Sequence, residues 1–216
     1  MTVSWNITVS FWTATAACGI LCSLASCLFF ICLYPFPRNM HRTAFRTSLA
    51  PFAAAAAAGG VLGILCITCR GLRMDTIFFC IAASLLSAIT AIDLSTLQIP
   101  NRGTAALFFL AICNAAAFSA AEEGVTLAGR VIGFAAAVMP FVIPVFLTRS
   151  MGAGDLKLMA VCGFLVGWPS ILTLLTWTFF LSSAAALLII LPVRRSRKAL
   201  LPFAPFIMAG TMIALL

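Results

Sequence analysis

Charge is scarce in this 216-residue sequence: Asp, Glu, Lys and Arg together make up 8 % of it, against about a quarter in soluble domains. Five residues are acidic, one is a histidine and one a tyrosine, while 63 % are apolar. So little charge excludes an ordinary water-soluble globule, and so much apolar surface excludes a disordered tail. Mean hydropathy is +1.17. At about 20 residues per span, the apolar segments leave room for roughly seven to nine spans and short loops. The fold class expected is all-α, a polytopic membrane protein of about eight transmembrane helices, with residues 1–216 forming one transmembrane domain. Within it, 1–74 supply the N-terminal helices and a short basic loop, and 75–216 the core.

The lack of histidine bears on metals. Cys66-Ile-Thr-Cys69 is a lone CxxC, and zinc would need a second pair or histidines; His41 stands alone among Arg38, Arg42 and Arg46. Most of the nine cysteines lie inside apolar runs and read as small buried hydrophobes. No metal and no cofactor are expected. The +8 net charge comes without a nucleic-acid module or an aromatic-interleaved basic patch, so no nucleic-acid partner is expected. Membrane lipid is the expected surrounding.

Apolar runs separated by charges and turn residues predict helices near 9–34, 49–69, 75–92, 104–120, 127–147, 156–168, 170–192 and 200–216. The first has no basic segment ahead of it and no clear cleavage site, so it is expected to be retained. Trp168-Pro169 reads as a tight turn, and Ala53–Ala58 with Gly59-Gly60 as close helix packing. With the N-terminus outside, the inner loops carry Arg38, Arg42, Arg46, Arg102, Arg149, Lys157, Arg194, Arg195, Arg197 and Lys198, and the outer side only Arg70, Arg73 and Arg130. That is ten against three, a clear positive-inside assignment. Asp75, Glu122 and Glu123 fall outside. The other two acids, Asp93 and Asp155, fall at cytoplasmic ends of spans.

An ionisable residue beside an apolar span is costly and defaults to a functional role. Asp93 closes the third run, and Pro100-Asn101 then breaks the helix, with Arg102 beside it. Asp155 opens the sixth run in Gly152-Ala-Gly154-Asp155-Leu-Lys157, where the glycines permit unusual backbone geometry or close approach. Two carboxylates at one depth can share a proton, one activating water while the other protonates a carbonyl. Each aspartate could instead cap a helix or pair with a nearby base.

Asp93, six residues, Pro100-Asn101 and then Gly152-x-Gly154-Asp155-x-Lys157 resemble the type IV prepilin peptidases, which are GxGD-type intramembrane aspartic proteases. Leu201-Pro-Phe-Ala-Pro-Phe206 is similar to a family stretch near the last span. The resemblance covers roughly residues 75–216. It implies an aspartic endopeptidase of a bacterial inner membrane, with Asp93 and Asp155 catalytic and Gly152, Gly154, Lys157, Pro100 and Asn101 supporting. It also implies cleavage of the basic leader of pilin or pseudopilin precursors from the cytoplasmic side, and an indirect link to pilus or type II secretion machinery. Many members carry two CxxC pairs in a cytoplasmic insert linked to N-methylation. The matching stretch here, Pro35–Ser48, is short, basic and free of cysteine, so a form without methyl transfer is expected. Ser95 stands where many members have Glu.

The competing function is a small proton- or cation-coupled transporter with Asp93 and Asp155 as ion sites; a non-catalytic scaffold is a third. A transporter would show inverted repeats, and none is visible between the halves. It would also leave Pro100-Asn101 and both glycines accidental.

Overall fold

The structure is a computed structural model, and it describes residues 2–33, 42–70, 74–118, 125–142, 152–190 and 202–215. These form eight helices and no strand: α1 (Thr2–Leu33), α2 (Arg42–Arg70), α3 (Met74–Thr96), α4 (Asn101–Phe118), α5 (Leu127–Val142), α6 (Ala153–Val166), α7 (Ile171–Ile190) and α8 (Ala204–Leu215). Each expected apolar run is thus a helix, and the chain is a polytopic all-α membrane protein. Four stretches are long and apolar enough to cross a membrane: Thr13–Leu33, Ala53–Arg70, Asp75–Thr96 and Ile171–Leu188; α5 and α8 are shorter apolar helices. Arg38, His41, Arg73, Glu122, Glu123, Arg149, Leu201 and the Arg194–Lys198 cluster lie outside the described residues.

The α2 and α3 helices extend well beyond their apolar runs. α2 begins at Arg42 rather than near 49, which makes half of the expected basic loop helical. α3 continues to Thr96, past the apolar limit at Ile92. There the Ser95 and Thr96 hydroxyls bond back to the Ile92 carbonyl at 2.9 and 2.8 Å, and Leu97 N–H reaches the Asp93 carbonyl at 2.8 Å. Hydropathy marks where lipid contact ends; the hydrogen-bond ladder decides where the helix ends. Leu97, at φ 54°, is the non-glycine left-handed residue that stops α3, a place usually given to Gly or Asn.

The chain divides into two compact units, Met1–Ala91 (with Leu216) and Ile92–Leu215. In the first, α1 packs along α2. A Cβ on Gly59 would lie 3.1 Å from the Cys22 carbonyl, and one on Gly60 3.3 Å from that of Gly19. Small residues there allow the two backbones to approach.

In the second unit α6 touches α4, α5, α7 and α8. From Leu158 on its sequence is apolar on every side, as a surrounded helix requires, and Leu158, Met159, Ala160, Val161, Cys162, Leu165 and Val166 are buried. α5 and α6 meet where a Cβ on Gly163 would fall 2.7 Å from the Gly133 carbonyl. Arg130, counted among the outer cations and near a helix start, is buried at 3 % exposure. Its guanidinium donates to Asn114 Oδ1 at 2.8 Å and to the Leu165 carbonyl at 3.2 Å. It therefore joins α4 and α5 to the C-terminal end of α6, where the helix dipole favours a cation.

Candidate active site

Both singled-out aspartates belong to the second unit, together with the rest of the expected site. Asp93 sits in the last turn of α3 and is 4 % exposed. A buried carboxylate needs partners, and Asp93 Oδ2 accepts the Ala204 N–H at 3.1 Å. Ala204 is the first residue of α8, so this donor is one that the helix itself cannot satisfy. Asp93 thus caps α8 from a residue 111 positions away, with the positive end of that helix directed at its charge. Phe203 is held by edge contacts to Phe141 and Phe206, ring centroids 6.0 and 6.3 Å apart. The Leu201–Phe206 segment, noted in the sequence without a task, therefore supplies a backbone donor. A backbone amide carries no sequence letter; only the proline-rich break ahead of the last helix hinted at it.

Asp155 lies in the first turn of α6, one residue before the apolar run and outside the four long spans. Burial first, and the Asp93 charge second, push its carboxyl up to about 6, against the Gly152 backbone bond that favours the ionised form.

The glycines turn out to differ in their tasks. Gly152 caps α6 with φ −69° and ψ 138°, extended geometry open to any residue, and Gly154 is helical. Neither has a positive φ; among the described glycines that belongs to Gly167. Of the two roles expected for Gly152 and Gly154, unusual backbone angles or close approach, the angles are ordinary and the spacing is close. A Cβ on Gly152 would lie 3.2 Å from Asp155 Oδ2, and one on Gly154 3.2 Å from Ile99 Cβ.

Ile99 leads into Pro100, whose carbonyl accepts the Gly103 and Thr104 N–H groups at 3.0 and 3.2 Å and so starts α4. Asn101 Oδ1 accepts Lys157 Nζ at 3.3 Å, tying the Pro-Asn turn to α6. Asn101 and Lys157 edge a cavity of about 410 Å³ walled by Phe108, Phe134, Ala160 and Val161. Neither aspartate lines it. Ser95 is exposed, and its hydroxyl donates to the Ile92 carbonyl. Cys66 and Cys69 sit in one helix with different fates, Cys66 being buried and Cys69 exposed.

The type IV leader peptidase family matches residues 80–191, about half of the chain and a span that includes both aspartates. A prepilin leader peptidase/N-methyltransferase of Bacillus subtilis (strain 168) is 28 % identical over 148 residues, which cover 68 % of this chain and 58 % of that relative. The chain thus matches less than two thirds of that relative's length. No solved structure matches. With a match that runs from α3 to the end of α7 and takes in the Pro-Asn turn and the Gly-x-Gly-Asp segment, the chain belongs to the type IV leader peptidase family.

Proposed function

We propose that this protein is a membrane-embedded aspartic endopeptidase that removes the basic leader from prepilin-type precursors at the cytoplasmic face of a bacterial inner membrane. The observation that carries it is the pairing of Asp93, capped by the Ala204 N–H, with an Asp155 raised to about 6 partly by its neighbour's charge. Two close carboxylates share one proton, and their surroundings divide the roles. The Ala204 amide and the α8 dipole favour the ionised form of Asp93, which accepts a proton from water. Asp155, its carboxyl raised to about 6, holds the shared proton and delivers it to the carbonyl oxygen as the tetrahedral carbon forms. The proton taken up by Asp93 then goes to the leaving amine.

The remaining site residues position these two. Gly154 lets Ile99 and the Pro-Asn turn lie against the start of α6, and Lys157 with Asn101 locks that arrangement. The positive-inside distribution of ten cations against three supports a cytoplasmic site, where basic leaders are presented. Pilin or pseudopilin precursors are the proposed substrates, and pilus or type II secretion assembly the process served.

The test uses the full chain in detergent and a substrate with a basic leader, a Gly, and a Glu a few residues into an apolar helix. Cleavage after the Gly is expected from wild type. Asp93→Asn and Asp155→Asn should each abolish it in folded protein, and the double variant should be no worse, as for residues acting as one unit. Near wild-type turnover by either single variant would remove that residue from the dyad.

A further inference from the structure

Four of the nine cysteines converge in the first unit, from three helices. Cys18 and Cys22 lie one turn apart on α1, Cys66 comes from α2 and Cys80 from α3. The Cys18 sulfur is 3.8 Å from that of Cys22 and 3.7 Å from that of Cys80, and the three sulfurs lie within 4.8 Å of one another. The Cys66 thiol is a further hydrogen-bond partner of Cys80. Cys22, Cys66 and Cys80 are buried, with Cys18 half-buried. All four are free thiols.

We infer that Cys18, Cys22 and Cys80, with Cys66 as the adjoining fourth sulfur, form a thiolate site for a soft d10 cation of the Zn²⁺ or Cu⁺ class. Around zinc, with Zn–S bonds near 2.3 Å, tetrahedral geometry sets ligating sulfurs about 3.8 Å apart, and the Cys18–Cys22 and Cys18–Cys80 separations of 3.8 and 3.7 Å match that edge. Thiolate sulfur selects these cations over hard ones such as Mg²⁺ or Ca²⁺. Packing alone asks for small apolar side chains, which Ala supplies throughout this unit; it does not ask for thiols to meet one another across helices.

The surroundings suit a charged centre better than a bare apolar core would. Binding displaces one proton from each ligating thiol, so three thiolates around Zn²⁺ leave one net negative charge. Arg70 stands four residues, one helical turn, beyond Cys66 and is kept at this end by Asp75 at 3.5 Å and by the Phe79 ring at 4.6 Å. Entry is provided by a cavity of about 430 Å³ onto which Cys18, Cys22 and Cys80 open beside Leu21, Ile67 and Ile81. The site departs from the metal-free expectation because no local spacing reveals it: the ligands come from three separate helices, and the one CxxC contributes a single member.

The full chain in detergent, reduced and washed free of metal, is titrated with Cd²⁺ alone and, separately, with Cu⁺ alone. The expected result is an ultraviolet thiolate-to-metal charge-transfer band that saturates near one equivalent, roughly one cation per chain as for a closed structural site. Cys80→Ser and the Cys18→Ser/Cys22→Ser pair should lose the band, and Cys32→Ser/Cys69→Ser, which alters exposed thiols only, should keep it. Which of the two cations saturates at the lower concentration decides between the zinc-like and copper-like forms. Folded wild type that gives no band with either cation overturns the site, whatever becomes of the variants. So does a band of equal size in Cys80→Ser, or a loss of free thiols by oxidation in wild type with no cation retained.

Discussion

Gly154 offers the sharpest perturbation of the proposed mechanism, because its place in the fold is set by space alone. A Cβ there would lie 3.2 Å from Ile99 Cβ and 3.8 Å from both Ile99 Cγ1 and Cδ1. Carbon–carbon contacts are most favourable at about 3.5–4.0 Å, so Gly154→Ala must push Ile99 away by a few tenths of an ångström. Overpacking of this kind costs about 1–3 kcal/mol, while replacing a helical Gly by Ala returns about 0.8–1 kcal/mol. The net for Ala is roughly zero to 2 kcal/mol of lost stability, and the fold survives. Gly154→Val adds two methyl groups on the same side and a poorer helix former, for an expected loss of about 2–4 kcal/mol.

Activity should suffer more than stability. Ile99 is continuous with Pro100 and Asn101, and Asn101 with Lys157, so the displacement is passed to the turn that positions Asp155. Misplacement by about 1 Å costs on the order of a hundredfold in rate. Gly154→Ala is therefore expected to lose roughly tenfold in leader cleavage per folded molecule, and Gly154→Val on the order of a hundredfold. The assay pairs cleavage of the prepilin-type substrate with the folded fraction measured by size exclusion and thermal unfolding on the same samples. Wild-type specific activity in Gly154→Val would refute the spatial account. Activity lost only in proportion to folded protein would reduce Gly154 to a packing residue.

Ala204→Pro deletes the N–H that Asp93 accepts at a first helical position where proline is tolerated; α8 should persist while cleavage falls, since a hydrogen bond to a charged group contributes about 1.5–3 kcal/mol, roughly ten- to a hundredfold. For pH, Asp155 keeps its proton below about 6, so cleavage should decline as pH rises through about 6 if Asp155 is the acid, and a flat profile from 5 to 8 would exclude that role. The same shift acts on stability: the folded value lies above the unfolded one of about 3.9, so its contribution is complete below the unfolded value and lost as pH rises through about 6. Arg130→Leu should lower stability by about 2–4 kcal/mol, because the Asn114 Oδ1 atom and the Leu165 carbonyl lose their buried donor; an unchanged melting temperature would contradict the assignment of Arg130 as a brace for α6.

What the sequence determined by itself were the features written in its local pattern. Eight apolar runs separated by charges became eight helices, because a span must satisfy its own backbone in lipid and only a helix does so within one segment. Asp93 and Asp155 stood out because an acid beside an apolar run is costly enough to need a reason. Pro100-Asn101 was legible as the break between α3 and α4, since proline ends one helix and starts the next. Tertiary structure decided everything that depends on distance between remote positions. It set the Ala204 amide against Asp93 across 111 residues, and gave Gly154 to the accommodation of Ile99 rather than to a special backbone angle. It buried Arg130 against the C-terminal end of α6. It also drew Cys18, Cys22, Cys66 and Cys80 to one place while leaving Cys69 exposed. Hydropathy and turn chemistry act between neighbours along the chain, so they can be read in order. A backbone donor, a missing Cβ or a shared sulfur cluster exists only once helices distant in sequence lie side by side.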